Sequence, residues 1–221
     1  MKVLGLDTAL NACSAAVIEG DNVLAALHEA GPRGQAERLL PMAQAVLAKS
    51  GLDFASIDRI GVTIGPGSFS GIRIGLAAAR GLALVMGRPL VGITTLRAIA
   101  AGVPARLRAG RVVAVTIEAR RGDAYTQVFD ANLAPLGEPV LLPKAEVARS
   151  FGGREVVLAG DAAGAVRELA PNPARFIVAE GTSDPDAIAV ARLAAQAVAP
   201  EQGAPPRPLY LRPPAVTFPA R

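Results

Sequence analysis

Residues 2–7 carry the unbroken run Val3-Leu4-Gly5-Leu6 and end in Asp7-Thr8-Ala9, the pattern of a buried strand. Apolar stretches at 13–18 and 23–28, split by the turn signal Gly20-Asp21-Asn22, predict two further strands and with the first an antiparallel meander. Gly31-Pro32-Arg33-Gly34 breaks the pattern. Leu39, Leu40, Met42, Ala43, Val46 and Leu47 then recur at helical spacing, which predicts a helix over 36–49 that Gly51 ends. Pro41 lacks an N–H and belongs near the first turn of that helix or marks a kink. The apolar face is wider than packing on one sheet surface requires, which points to a second buried side.

An apolar strand over 58–64 runs into Gly65-Pro66-Gly67-Ser68-Phe69-Ser70-Gly71, and a helix over 71–86 follows at once. Ser68 or Ser70 is placed to cap it by accepting a hydrogen bond from an orphan N–H. A strand, a glycine-rich turn and a helix N-terminus can cradle an anion, or can form a rigid corner that aims the helix. Gly71, Gly75 and Ala79 lie four apart, so another backbone can approach that helix closely. Gly87-Arg88-Pro89 stops it, residues 90–93 read as a strand, and Thr94 or Thr95 caps a short helix to 101.

Residues 102–110, with Pro104, read as a boundary, after which the pattern restarts. A strand at 111–117 and a hairpin partner at 124–129 are followed by a strand near 139–142 and a helix at 144–150. A strand at 156–159 ends in Gly160-Asp161, a helix covers 162–169 and a short strand 175–178. An alanine-rich helix over 184–198 has Asp184 as its cap, and the proline-rich 205–221 reads as an extended tail. The fold class is therefore α/β with two similar lobes, 1–102 and a smaller 103–204, as in a duplicated unit.

Composition narrows the chemistry. Of 221 residues 51% are apolar, enough for a core without staples. One cysteine, Cys13, forms no internal disulfide, and one histidine, His28, cannot with it supply a zinc or iron ligand set. The start of the chain lacks a signal-peptide pattern, and the most apolar run, 74–86, is short for a membrane span and carries Arg80, so a cytoplasmic protein is expected. The net charge is +4, and arginine is densest at Arg106, Arg108, Arg111, Arg120 and Arg121. That cluster reads as a solvated surface or as a nucleic-acid contact without a base-stacking platform.

Asp7 at the end of an opening strand, with a hairpin after it, is how actin-like and sugar-kinase-like ATPases begin, where the acid faces a magnesium-bound phosphate. The alternative is an aspartate that satisfies turn amides. Glu118 follows the first strand of the second lobe as the counterpart of Asp7, a position for a carboxylate that orients a nucleophile, although Arg120 and Arg121 offer it ion pairs. Asp7, Thr8, Gly65, Gly67, Ser68 and Glu118 thus form a candidate degenerate nucleotide or anion site. Ser68 and Ser70 belong to no evident Ser-His-acid triad, and no catalytic residue, metal site or cofactor is assigned.

Several stretches resemble the TsaB (YeaZ) family: 3–8 with Cys13-Ser14, Glu37-Arg38-Leu39-Leu40-Pro41-Met42, 65–75, Glu118-Ala119-Arg120-Arg121-Gly122-Asp123-Ala124-Tyr125 and Pro208-Leu209-Tyr210-Leu211-Arg212. The resemblance implies the actin/Hsp70-like ATPase fold (ribonuclease H-like) and a bacterial subunit for threonylcarbamoyladenosine synthesis on tRNA. It implies a non-catalytic role beside a TsaD-like catalytic subunit and a TsaE-like ATPase, a homodimer when alone, and tRNA reached indirectly. Gln35-Ala36 stands where many relatives have a histidine, and Glu118 where the motif usually has aspartate. Wide apolar face and small-residue row together nominate Leu39, Leu40, Met42, Ala43, Val46, Leu47, Gly71, Ile72, Gly75, Leu76 and Ala79 as the partner interface. The rival readings are an ATP-binding phosphotransferase or ATPase, a metalloprotease, and a direct tRNA-binding module.

Overall fold

The computed structural model describes residues 1–31, 33–198 and 205–211. The first lobe contains β1 (Lys2–Asp7), β2 (Ala12–Glu19), β3 (Asn22–Ala30), α1 (Gln35–Lys49), β4 (Arg59–Thr63), α2 (Phe69–Met86) and β5 (Leu90–Ile93). Its sheet has the order β3-β2-β1-β4-β5, antiparallel from β3 to β1 and parallel from β1 to β5. After α3 (Thr95–Gly102) and α4 (Ala105–Arg108), the second lobe brings β6 (Val112–Glu118), β7 (Asp123–Phe129), β8 (Val140–Pro143), α5 (Lys144–Ser150), β9 (Val156–Ala159), α6 (Ala163–Glu168) and β10 (Phe176–Val178). The order β10-β9-β6-β7-β8 repeats the first sheet read from its other edge, with the same senses of pairing. The predicted duplication is present.

The last described helix, α7 (Ala187–Gln196), returns to the first sheet, although its place in the chain groups it with the second lobe. Strand periodicity explains why β1 reads as uniformly apolar: Leu4 and Leu6 join the α1/α2 core, while Val3 faces α7 with Val190, Ala191 and Ala194. Gly5 and Gly61, paired in register across β1 and β4, clear the way for α7; a β-carbon on Gly5 would lie 2.9 Å from the Ala191 nitrogen. Arg59 fastens the end of α7, its guanidinium donating to the carbonyls of Ala194 and Ala197 at 2.7 Å each.

Four local expectations are decided or shifted. Ser68, not Ser70, caps α2, accepting from Gly71 N at 3.2 Å, so the helix begins at Phe69. At 18 residues and mean hydropathy 1.4, α2 has the length and apolarity to cross a bilayer, more than the 74–86 run alone indicates. In this fold its apolar stripe is core, and Arg73 and Arg80 project from the other side. The α7 cap is Asp186, accepting from Ile188 N at 2.9 Å; Asp184 is engaged elsewhere. Pro41 sits inside an unbroken α1, on its exposed side. Of the tail, 205–211 form no helix or strand; 199–204 and 212–221, with Arg212, lie outside the described residues.

Candidate functional site

Asp7 ends β1 fully buried. Its Oδ1 accepts from Thr63 Oγ1 at 2.6 Å and from Ala9 N at 3.0 Å, while Oδ2 has no partner. Burial pushes the carboxyl up to about 7, against the lowering effect of those two bonds; the charges of Asp184 and Asp186 raise it further. Asp7 thus satisfies the Ala9 turn amide, as the turn reading expects, and its other oxygen is buried without a partner.

The glycine turn is filled by the chain's own backbone. Thr8 Oγ1 donates to the Gly71 carbonyl at 2.7 Å, and Ser68 N donates to the Ala9 carbonyl at 2.7 Å. A β-carbon on Gly67 would strike the Ala9 carbonyl, one on Gly71 the Thr8 carbonyl, and one on Gly75 would stand 2.6 Å from Thr8 Oγ1. Gly65 adopts φ +108°, which a side chain disfavours, and a β-carbon there would meet Leu209 O at 2.8 Å. The small-residue row therefore admits the loop after β1 rather than another molecule.

Glu118 ends β6 on the exposed side. Its carboxylate pairs with Lys144 Nζ of α5 at 2.7 Å, not with Arg120 or Arg121, and its amide donates to Asp161 Oδ1 at 2.7 Å. Burial raises the Asp161 carboxyl, with the Glu118 amide opposing and the charges of Asp184 and Glu118 adding. Asp184 Oδ1 accepts from Asn11 N at 3.1 Å, tying the first lobe to the segment before α7. Asp161, Asp184 and Asp186 escaped the sequence reading as site residues because each is a turn or cap aspartate; Gly160-Asp161 after a strand was the available signal. The strand ends thus gather carboxylates, which repel a bare phosphate and accept one only together with a cation. Among the described residues no three His, Cys, Asp or Glu side chains are grouped to hold a metal. His28 lies exposed on β3, and Cys13 is buried, its thiol pushed up to about 11 by burial.

The nominated interface needs correction. Leu39, Met42, Ala43, Val46, Leu47, Gly71, Ile72, Gly75, Leu76 and Ala79 are all buried in the first lobe's own core; of the set only Leu40 is exposed. The wide α1 face is accounted for by the sheet and α2 together. What the helices turn outward is a different row. Leu84 and Val85 near the end of α2 are 84% and 87% exposed, with Ala77 and Gly81 open on the same helix.

The C-terminal segment borders this row. Leu209 N donates to Ile64 O at 2.8 Å and Arg80 donates to Pro206 O at 2.6 Å. Arg73 lies 3.6 Å over the Phe69 ring and donates to Tyr210 OH at 3.2 Å; the Phe69 and Tyr210 rings are 5.6 Å apart.

With the geometry known, similarity to other proteins is informative. The family model for TsaD, tRNA N6-adenosine threonylcarbamoyltransferase, matches residues 29–170. The tRNA threonylcarbamoyladenosine biosynthesis protein TsaB of Escherichia coli is 42% identical over 125 residues, 57% of this chain and 53% of that protein. The match thus spans about half the length of that relative. YeaZ from Pseudomonas aeruginosa superposes with a TM-score of 0.80 at 30% identity, over 95% of this chain and 99% of that one. A ROK hexokinase from Thermus thermophilus, at 16% identity and a TM-score of 0.51 over 88% of this chain and 98% of its own, shares the fold. The architecture is that of the actin-like ATPases.

Proposed function

The chain belongs to the TsaB/YeaZ family, and from that premise we propose that it is a partner-binding, non-catalytic subunit of the assembly that makes threonylcarbamoyladenosine on tRNA. Its partner in this reading is a TsaD-type transferase, with a TsaE-type ATPase joining the pair and self-association when the partner is missing. The observation that carries the reading is the exposed apolar end of α2, Leu84 and Val85, on a helix whose other face is core. Large apolar side chains left open on a rigid helix are what a subunit interface buries. A non-catalytic role is supported by the strand ends: glycine slots occupied by Thr8 and Ala9 and a sealed Asp7.

The test is co-purification and titration with a TsaD-type transferase. Leu84→Glu and Val85→Glu are expected to weaken association by about tenfold or more, as a charge forced into a desolvated interface does, with the melting temperature unchanged. Unchanged affinity would reject this face. The rival ATPase reading draws on the uncommitted Asp7 Oδ2. It requires heat of binding with ATP and magnesium that Asp7→Asn abolishes, and a silent titration at millimolar nucleotide removes it.

A further inference from the structure

The arginine cluster seen in the sequence is divided by the fold. Arg106, Arg108 and Arg111 lie before β6, while Arg120 and Arg121 lie after it, separated by a seven-residue strand of about 20 Å. In exchange the parallel pairing of β6, β9 and β10 brings distant arginines to the first group. Val112 pairs with Val156 and Phe176 with Val156, so the positions just before them, Arg111, Glu155 and Arg175, stand side by side at one edge of the sheet, with Arg154 next to Glu155. Neighbouring strands are about 4.8 Å apart, so the row spans roughly 10 Å. α4 adds Arg106 and Arg108 at the same edge, where Arg111 N donates to Arg108 O at 2.9 Å.

The edge carries five arginines against two carboxylates, Asp130 and Glu155, around an open cavity of about 390 Å³ lined by Arg111, Arg154, Asp130 and Glu155 among others. Three of the arginines are held in place. Arg111 pairs with Glu155 at 3.0 Å, Arg108 donates to Val103 O at 3.0 Å, and Arg175 donates to the Gly153 carbonyl. Arg106 and Arg154 are exposed and, among the described residues, their guanidinium groups have no hydrogen-bond or ion-pair partner. Asp130 is occupied with the amides of Asn132 and Ala134 at 2.8 Å each.

We propose that this edge, formed by α4 and the starts of β6, β9 and β10, is a contact surface for the phosphate backbone of RNA. The inference rests on the tRNA-modification reading but adds direct contact, where that reading places tRNA only in the complex. Guanidinium groups on adjacent strands match closely spaced phosphates, and a planar fork can take two phosphate oxygens at once. The surface reads backbone rather than bases: Phe151 and Phe176 nearby are buried against each other, centroids 5.9 Å apart, leaving no ring for stacking. An anionic membrane is a poorer match, because none of the exposed large apolar side chains among the described residues lies on α4 or at these strand starts.

Fluorescence anisotropy of the full chain with a labelled 17-nucleotide RNA stem-loop, titrated from 50 to 200 mM salt, tests the proposal. Arg106→Glu with Arg154→Glu alters two side chains that hold nothing in the fold. Their double variant is expected to bind about tenfold or more weakly at 100 mM salt, with a log–log salt slope flatter by about 1.5, roughly 0.7–0.9 per lost phosphate contact. Arg120→Glu with Arg121→Glu, at the far end of β6, is the control and leaves the slope unchanged. No RNA binding by the wild type at 50 mM salt and 100 μM protein, equal losses in both double variants, or tighter binding to anionic vesicles or polyglutamate than to the stem-loop would overturn it. Association with the TsaD-type partner, measured separately, is expected to survive the Arg106/Arg154 change, so failure here and failure of the subunit reading are distinguishable.

Discussion

Thr8 Oγ1 donates a 2.7 Å hydrogen bond to the carbonyl of Gly71, 63 positions further along the chain. This bond joins the loop after β1 to the first turn of α2 and explains why the glycines lie where they do. The hydroxyl of Thr8 and the carbonyls of Thr8 and Ala9 occupy the space that side chains at 67, 71 and 75 would need.

Gly71→Ala and Gly75→Ala are therefore expected to destabilise the protein by about 1–3 kcal/mol each, as overpacking against backbone does. Gly81→Ala on the same helix meets nothing within 4 Å, and is expected to stabilise by about 0.5–1 kcal/mol through helix propensity. Urea unfolding of the three variants compares them on one helix.

Asp7 links stability to pH. Its carboxyl is raised from 3.8 to about 7 in the fold, so the folded state disfavours the ionised form. The stability it contributes is fully present below about 4, is lost as pH rises towards 7, and is flat above that. Asp7→Asn keeps an acceptor for Thr63 and removes the charge. Unfolding at pH 5 and pH 8 is expected to show the variant gaining on the wild type by a few kcal/mol on that rise, at about 1.4 kcal/mol per unit. A constant difference between variant and wild type would reject the assignment.

Core and surface leucines of the helix pair are expected to separate cleanly. Leu39→Ala should lose about 2–5 kcal/mol, since the residue is 1% exposed in the α1/α2 core. Leu84→Ala, on the open end of α2, should stay within about 0.5 kcal/mol of wild type in stability. Chemical denaturation reads both.

The strap over α2 is open to a direct check. Tyr210→Ala removes the Phe69 ring contact and the Arg73 hydrogen bond, together expected to be worth about 1–2 kcal/mol locally. Amide hydrogen exchange should rise in residues 69–76 while β1 and β4 keep their protection.

The order of elements, their types and the two-lobe repeat were legible in residue pattern, because strand and helix periodicity and turn chemistry act over a few neighbours. Asp7-Thr8 at a strand end and the glycine corner were legible for the same reason. Direction was not. The apolar residues of α1 and the row Gly71, Gly75, Ala79 look alike whether they face a partner or the chain's own sheet and loops, and burial alone decided for the latter. Arg154 and Arg175 are far from Arg111 in sequence, and only parallel strand register set them on one edge. Likewise Lys144 became the partner of Glu118 because β7 pairs with both β6 and β8, which sets the start of α5 beside the end of β6, a long-range register that no local propensity encodes. By itself the sequence determined which segments form strands, helices and turns, through short-range sterics and hydrophobic periodicity. The tertiary structure decided which faces are left for solvent and partners, because burial depends on what the rest of the chain brings against them.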